Sequence, residues 1–458
     1  MSKPSVPLIN VTNLSGVDPE SVTQPIPVIT QAPRWRDTFI ALRAYNYRLY
    51  IVGQLFANVG GWMQRVAIDW LVLELTGNVA VVGLTVTLQF APTLLIGPWA
   101  GVISDRYKRH RTLIMTQSVG TVFNGLLAAL VLTGVAQAWM VFVVATITGC
   151  SMAVDSPSRS AFVSEMVGSH RLRNAITLNA SIFHLGGLLG PAISGVLITL
   201  VGSGWSIAIN AGTSAIAVLA LSLMRTHELT RSRPVVAAKG QIREALQYVV
   251  RKPTIFWPIV LMFFVATFGM NLPVLFTASA NVTYQTGAAG YGLYSSLAAA
   301  GALAGALLST RRRQLRLRAI VIAVVIYGAV TALAGVAPAY LIFLGALVGI
   351  GITRIAFATA SESLTQLSTN LGIRGRVMSF YIMVNVGGQA AGGLIIGWIA
   401  QNLGAQPAFL VAGGVPAAAG LVVAVILARR HELTLRVDLR RPRQLLRIVK
   451  RPEAAPVA

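Results

Sequence analysis

The chain reads as a succession of long, continuously apolar runs separated by short polar breaks. Runs long enough to cross a bilayer, which takes roughly 20 residues of helix, fall at 49–75, 80–104, 112–134, 138–158, 174–201, 205–224, 255–278, 288–310, 318–336, 339–361, 377–400 and 406–428. Their apolar residues are consecutive rather than alternating, which argues against a spanning β-barrel. The pattern predicts an all-α integral membrane protein with twelve transmembrane helices. A polar tail covers 1–48, six runs occupy 49–224, a polar linker covers 225–254, six more runs occupy 255–428, and a basic tail covers 429–458.

Composition supports the bilayer as solvent. Only 11% of residues are charged and 55% are hydrophobic, whereas a soluble domain carries about a quarter of its residues as charges. Soluble enzymes and disordered proteins are thereby excluded. The net charge of +23 first suggests nucleic acid, but its placement argues otherwise. Of 37 Lys and Arg residues, 35 lie before the first run, in alternate breaks, or after the last run, and the intervening breaks hold none. Positive charge collects on the cytoplasmic side, so both termini and the linker are predicted to be cytoplasmic, and no nucleic-acid partner is expected. Cys150 is the sole cysteine, which rules out an intramolecular disulfide. The first 44 residues lack the apolar core of a signal peptide. Five lysines against 32 arginines, with abundant Ala, Gly and Val, point to a GC-rich bacterial genome and hence to the inner membrane.

Two weak internal matches support a duplicated six-helix unit. At an offset of 201, Arg173, Gly186 and Gly187 meet Arg374, Gly387 and Gly388, and Glu165 meets Gln366; at an offset of 204, Gly97, Gly101, Lys108 and Arg109 meet Gly301, Gly305, Arg312 and Arg313. Two pseudo-symmetric bundles are therefore expected. Within the linker, Ile242, Ala245, Leu246 and Val249 share one face at helical spacing, predicting a short helix along the membrane surface.

Polar residues inside the runs carry the candidate chemistry. In the first run Gln54, Asn58, Gly61, Arg65 and Asp69 fall within one sector of about 80°, a stripe that must face protein or water. Arg65 and Asp69, four residues apart, can pair; the pair either pins the helix or exchanges a proton as access changes, with Arg65 biasing Asp69. Arg354 either attracts an anionic substrate group into a central cavity or snorkels to the cytoplasmic face. Gln89, His184, Asn271 and Asn385 either bridge helices or reach substrate, and Trp62, Trp70 and Phe90 either line a cavity or anchor at the interface. No phosphate-binding loop, zinc spacing or nucleophile elbow occurs. Transport would then draw on an ion gradient, with no cofactor. The sequon Asn281, Val282, Thr283 falls in an external break, where a bacterial host leaves it bare.

Several motifs carry a resemblance. Gly101 to Arg111, with Asp105, Arg106, Arg109 and Arg111, resembles the G-x-x-x-D-R-x-G-R-R loop of the major facilitator superfamily, with Lys108 in place of the second Gly. Gly186, Gly190, Pro191 and Gly195 resemble the antiporter motif of its drug exporters, with Ser194 in place of a Gly. Asn46 to Tyr50, Gln54, and Trp62 to Leu73, followed by Asp155-Ser-Pro-Ser-Arg159 and Asn174-Ala-Ile-Thr-Leu-Asn179, resemble the branch holding enterobactin exporters and macrolide efflux proteins. The resemblance implies a switch role for Asp105 and Arg106, with Asp155 or Arg159 as partners. The equivalent position in the second half is Ser309, so the switch is expected to be asymmetric.

The expectation is a monomeric, proton-coupled exporter of drugs, siderophores or other amphipathic metabolites, not an enzyme, with a cavity drawn from Gln54, Asn58, Trp62, Gln89, Arg354 and Asn385. An uptake or lipid-moving facilitator of the same fold, and a membrane-anchored binding protein that works through its basic tail, remain alternatives. Truncation after Ala428 separates the last of these: a transporter still moves substrate without the tail, whereas a tail-dependent binding protein loses all function, as measured by growth under drug challenge.

Overall fold

The computed structural model describes residues 39–229, 241–309, 316–430, 433–437 and 446–450; the side chains of 98, 100–106, 169, 170, 241–245, 371, 372 and of residues from 430 onward lie outside that description. Long helices dominate, because backbone N–H and C=O groups in hydrocarbon can be satisfied only within the segment itself. In chain order they are α1 (Tyr45–Thr76), α2 (Val79–Arg106), α3 (Arg109–Leu132), α4 (Ala138–Gly168), α5 (Arg171–Val201), α6 (Ser203–Ser222), the linker helix α7 (Gln241–Arg251), α8 (Pro253–Thr283), α9 (Gly287–Ser309), α10 (Leu317–Gly335), α11 (Tyr340–Leu367), α12 (Leu371–Leu403) and α13 (Ala405–Arg430). Eleven of these, α2 to α6 and α8 to α13, are long and apolar enough to cross a membrane. The 32-residue α1 carries Arg48, Arg65, Asp69 and Glu74 and falls outside that set. Large apolar side chains such as Leu95, Trp99 and Leu341 lie exposed on the helix surfaces, where lipid would cover them.

Three features depart from the sequence expectation. The polar break between the fourth and fifth runs is helical, and α4 meets α5 at Gly168, whose φ of 68° and ψ of 174° interrupt the helix. Polarity marks where the apolar stretch ends; the helix itself runs on until a residue without a Cβ allows a left-handed φ. Arg159 accordingly sits within α4 rather than in a loop. The seventh run is not a uniform helix, since α8 contains two π-helical stretches, Val265–Gly269 and Ser279–Thr283. Between them Asn271 leaves helical geometry, with φ −85° and ψ 41°, and its side-chain amide donates to the Thr267 carbonyl at 3.0 Å. Pro273, which has no N–H, follows. Last, the basic tail contains an antiparallel pair of strands, β1 (Leu433–Val437) and β2 (Leu446–Lys450), with Leu433 opposite Lys450 and Val437 opposite Leu446.

The linker helix α7 has Val249 buried, Leu246 and Val250 exposed, and Tyr248 as a hydrogen-bond node. The Tyr248 hydroxyl accepts from Lys252 Nζ at 2.6 Å and from the Asn370 backbone N–H at 3.2 Å, tying the linker to the start of α12. Of its expected apolar face, Ile242 and Ala245 lie outside the described side chains.

Helices α1 to α6 meet α8 to α13 along a seam of small residues. A Cβ on Gly83 of α2 would come within 2.1 Å of the Gly393 carbonyl of α12, and one on Gly393 within 2.6 Å of the Gly83 carbonyl. Backbones can approach this closely only where both side chains are absent. Hydrogen bonds flank the contact: Thr87 Oγ1 donates to the Ala390 carbonyl at 2.6 Å, and the Val79 N–H donates to Gln401 Oε1 at 2.7 Å. A second strip joins α5 to α9, with Gly195 against Gly292 and Ser296 Oγ donating to the Leu188 carbonyl at 2.9 Å. Both strips lie toward the end of the helices that carries the α1–α2 turn.

Overpacking of a tight contact costs about 1–3 kcal/mol. Gly83→Leu is therefore expected to separate α2 from α12 without unfolding either, seen as a longer distance between spin labels at positions 78 and 402 in a Cys150→Ser background.

Candidate functional site: a polar cavity among α1 to α6

A cavity of about 430 Å³ lies among α1 to α6. Helix α1 contributes Gln54, Asn58, Gly61, Trp62, Gln64 and Arg65; α2 contributes Gln89; α3 Thr116, Gln117 and Asn124; α4 Thr148, Ser151, Met152, Asp155 and Arg159; α5 Asn179 and Phe183; and α6 Asn210 and Ser214. The predicted stripe on α1 thus faces this space as far as Arg65. Of the six expected cavity residues, Gln54, Asn58, Trp62 and Gln89 line it, whereas Arg354 and Asn385 do not. Asn385 on α12 accepts a hydrogen bond from Gln389 at 2.7 Å.

One wall is a charged cluster. Arg159 pairs with Asp155 one turn earlier, Nη2 to Oδ2 at 2.5 Å and Nε to Oδ2 at 2.8 Å. Thr116 Oγ1 and Gln117 Nε2 donate to the other carboxylate oxygen at 2.9 and 3.0 Å, and Arg159 Nη1 donates to Gln54 Oε1. Asp155 is buried and both its oxygens are occupied. Removing one partner of such a pair strands the other, at about 3–5 kcal/mol, so this cluster ties α1, α3 and α4 firmly. A second tie crosses the bundle through amides: Asn210 Nδ2 donates to Gln64 Oε1 at 2.5 Å, and Gln64 Nε2 donates to Asn124 Oδ1.

Arg65 is held differently. Its guanidinium lies over the Trp62 ring at 4.9 Å, and Trp62 meets Phe183 edge-on at 5.5 Å. The expected Arg65–Asp69 contact is not among the ion pairs of the described residues. Asp69, buried and one turn further along α1, instead accepts a hydrogen bond from the Tyr291 hydroxyl of α9 at 2.6 Å. A cation–π contact contributes about 0.5–2 kcal/mol, which only partly offsets the roughly 2.5–3.5 kcal/mol that insertion scales assign to a mid-membrane Arg. Arg354 on α11 is also without an ion pair among the described residues, and its Nε has no hydrogen-bond partner. It lies within electrostatic reach of Tyr327 on α10 and His184 on α5.

The loop expected to act as a switch is described in part. Gly101, Asp105 and Arg106 end α2, and their side chains lie outside the described set, so their contacts with Asp155 or Arg159 do too. Arg109 opens α3 and reaches Glu165 of α4 at 2.7 Å, while Arg111 is exposed. The motif on α5 serves packing at two surfaces. Cβ atoms on Gly186 and Gly190 would come within 3.0 Å of Asn58 and 2.6 Å of Trp62 on α1, and Gly195 meets α9. Ser194, which departs from the motif, donates to the Met63 carbonyl at 2.9 Å and lies 2.7 Å from Ser206.

Sequence reasoning missed Glu165 as a partner, Tyr291 entirely, and the Asn124 and Asn210 amides. For the amides a signal existed, since Asn124 and Asn210 are polar interruptions of the third and sixth apolar runs. A Tyr in an apolar run gives no such warning.

Residues 37–457 match the profile of the transmembrane secretion effector family of major facilitator transporters. The multidrug efflux pump Tap of Mycolicibacterium fortuitum is 26% identical over 401 residues, covering 84% of this chain and 97% of that protein. The enterobactin exporter EntS of Citrobacter koseri is 23% identical over 414 residues, covering 87% and 93%. The crystal structure of the nucleoside transporter NupG superposes with a TM-score of 0.62 at 13% identity, covering 83% of this chain and 99% of that one, which establishes the shared fold. With this fold, its membrane-length helices and a family match over nearly its whole length, the chain belongs to the transmembrane secretion effector family of the major facilitator superfamily and is a multi-pass membrane transporter.

Proposed function

We propose that this chain is a twelve-span secondary transporter, in two six-helix bundles with both termini cytoplasmic, that exports small molecules by alternating access coupled to protons. The observation that carries this reading is the position of the seam. The contacts between α1–α6 and α8–α13 described above cluster toward one end of the helices, and the polar cavity extends away from that end. The breaks at the closed end are those without Lys or Arg, and positive charge collects inside. The closed end is then external, and this is the cytoplasm-facing state in which an exporter loads. Export is supported by the family, whose relatives include a multidrug efflux pump and an enterobactin exporter; drugs, siderophores and related metabolites are the substrate classes those names suggest.

Asp69 is our candidate for the proton-exchanging group. It sits at the closed end, on the substrate-binding helix, and its hydrogen-bond partner Tyr291 belongs to the other half. Opening that end must separate the two. The carboxylate then loses a donor at the moment it meets external water, and a proton from outside replaces the phenol. Return to the cytoplasm-facing state restores the phenol, and the proton leaves inward. Arg65, one turn away on the cavity wall, connects this exchange to occupancy of the site. The loop of Asp105 and Arg106, with Arg109 bound to Glu165, would lock the cytoplasmic end when it closes.

In proteoliposomes carrying a compound whose export depends on the chain, Asp69→Asn is expected to abolish uphill transport driven by a pH gradient while downhill exchange of that compound survives; intact gradient-driven transport in this variant rules the assignment out. Tyr291→Phe removes a hydrogen bond to a charged group, worth about 1.5–3 kcal/mol. It should shift the population toward the externally open state by about 10- to 100-fold, read as faster labelling of a cysteine placed at the external end of α1.

A further inference from the structure

We infer that the substrate is an organic anion, a carboxylate-bearing molecule rich in hydroxyl or amide groups, held by Arg65 with Trp62 in the cavity among α1 to α6. This rests on the exporter reading and narrows it. Three charged side chains line the cavity: Arg65, Asp155 and Arg159. Asp155 and Arg159 neutralise each other, and the carboxylate is already filled by Arg159, Thr116 and Gln117. Among the described lining residues the remaining charge is a single positive one, on Arg65.

No carboxylate of the described residues lies within ion-pair distance of that guanidinium. Asp69, the acid nearest in sequence, is within electrostatic reach of Arg65 but is hydrogen-bonded to Tyr291 and does not line the cavity. The guanidinium lies over the Trp62 ring and Arg65 lines the cavity; a guanidinium matches a carboxylate in a bidentate fork. A half-buried Arg that lines a cavity and makes no hydrogen bond to the described residues favours an anion and repels a cation.

The rest of the lining describes the remainder of the molecule. Eight of the 25 lining residues are Asn or Gln and six are Ser or Thr, so polar groups are distributed among the apolar parts of the wall. Trp62 and Phe183 are the aromatic elements of the apolar part. Gln89 makes no side-chain hydrogen bond to the described residues and is available to a ligand. Gln54, Gln64, Gln117, Asn124 and Asn210 are engaged with one another or with the Asp155–Arg159 pair; a lipophilic cation would be repelled by Arg65, and a ligand without polar groups would leave Gln89 unanswered, a mismatch that discriminates against it. A volume near 430 Å³ accepts a drug-sized molecule.

The test compares spent medium from a bacterial host expressing the full chain, its Arg65→Gln and Arg65→Lys variants, or an empty vector, by mass spectrometry of all small metabolites. Purified wild type and Arg65→Gln in detergent are titrated in parallel with citrate and with tetraphenylphosphonium, following thermal unfolding, and size-exclusion profiles verify folding. The expected result is enrichment of carboxylate-bearing compounds with wild type, a fall of about tenfold or more with Arg65→Gln and partial recovery with Arg65→Lys. Citrate should raise the unfolding temperature of wild type more than the cation does, and Arg65→Gln should remove the difference. Export confined to neutral or cationic compounds overturns the inference and leaves the exporter reading standing, as does equal or greater stabilisation by the cation. If no compound is enriched by wild type, the exporter reading itself falls and the inference with it. Should Arg65→Gln not fold, the charge class of the compounds exported by wild type decides alone.

Discussion

A charge inside a membrane must be answered by a partner, and much of this molecule is arranged around that requirement. The requirement is met in three ways in the region containing α1. Asp155 and Arg159 answer each other, with hydroxyl and amide groups completing the shell. Asp69 is answered by a phenol from the opposite half. Arg65 is answered by an aromatic face and, at longer range, by Asp69, with no hydrogen bond or ion pair among the described residues. These three solutions differ in permanence. The first lies within one half and survives any rearrangement that moves the halves as units. The second holds only while the halves touch at that end. The third leaves capacity for a ligand.

On the proposed mechanism the same ordering separates scaffold from moving part. Ties among α1, α3, α4 and α6 run through buried ion pairs and amide chains that are costly to break. Contacts between the halves are instead backbone against backbone, with a few hydrogen bonds at the margins. Strong interactions within each half and shallow ones between them are what rocking of one half against the other needs.

Legibility in the sequence followed the same physics. The long helices were readable because lipid imposes a continuous apolar run. The stripe on α1 was readable because its polar residues recur at helical spacing, and Gln54, Asn58, Trp62 and Arg65 do line one cavity. The ends of α4 and α5 were not readable, since Arg159, Arg171 and Arg173 mark the limit of the apolar stretch and not of the hydrogen-bonded helix. The partner of Asp69 was out of reach for a different reason. Residues four apart on one helix suggest each other, whereas Tyr291 lies 222 positions away, and only the packing of α5 and α1 against α9 brings it near. The π-helical stretches of α8 likewise depend on Asn271 and on the Tyr327 hydroxyl, which donates to the Gly269 carbonyl at 2.5 Å.

The Gly83–Gly393 contact has a consequence for how such a machine is tuned. Where two bare backbones meet, nothing titrates, nothing is screened by salt, and no long side chain must be frozen as the surfaces join. The adhesion there is set by shape and temperature alone, and stays constant as the ionic conditions on either side of the membrane vary. Sensitivity to those conditions is thereby concentrated in the few polar contacts at the seam, chiefly the carboxylate and phenol, so that on the proposed mechanism one chemical signal governs a motion whose mechanical resistance is fixed.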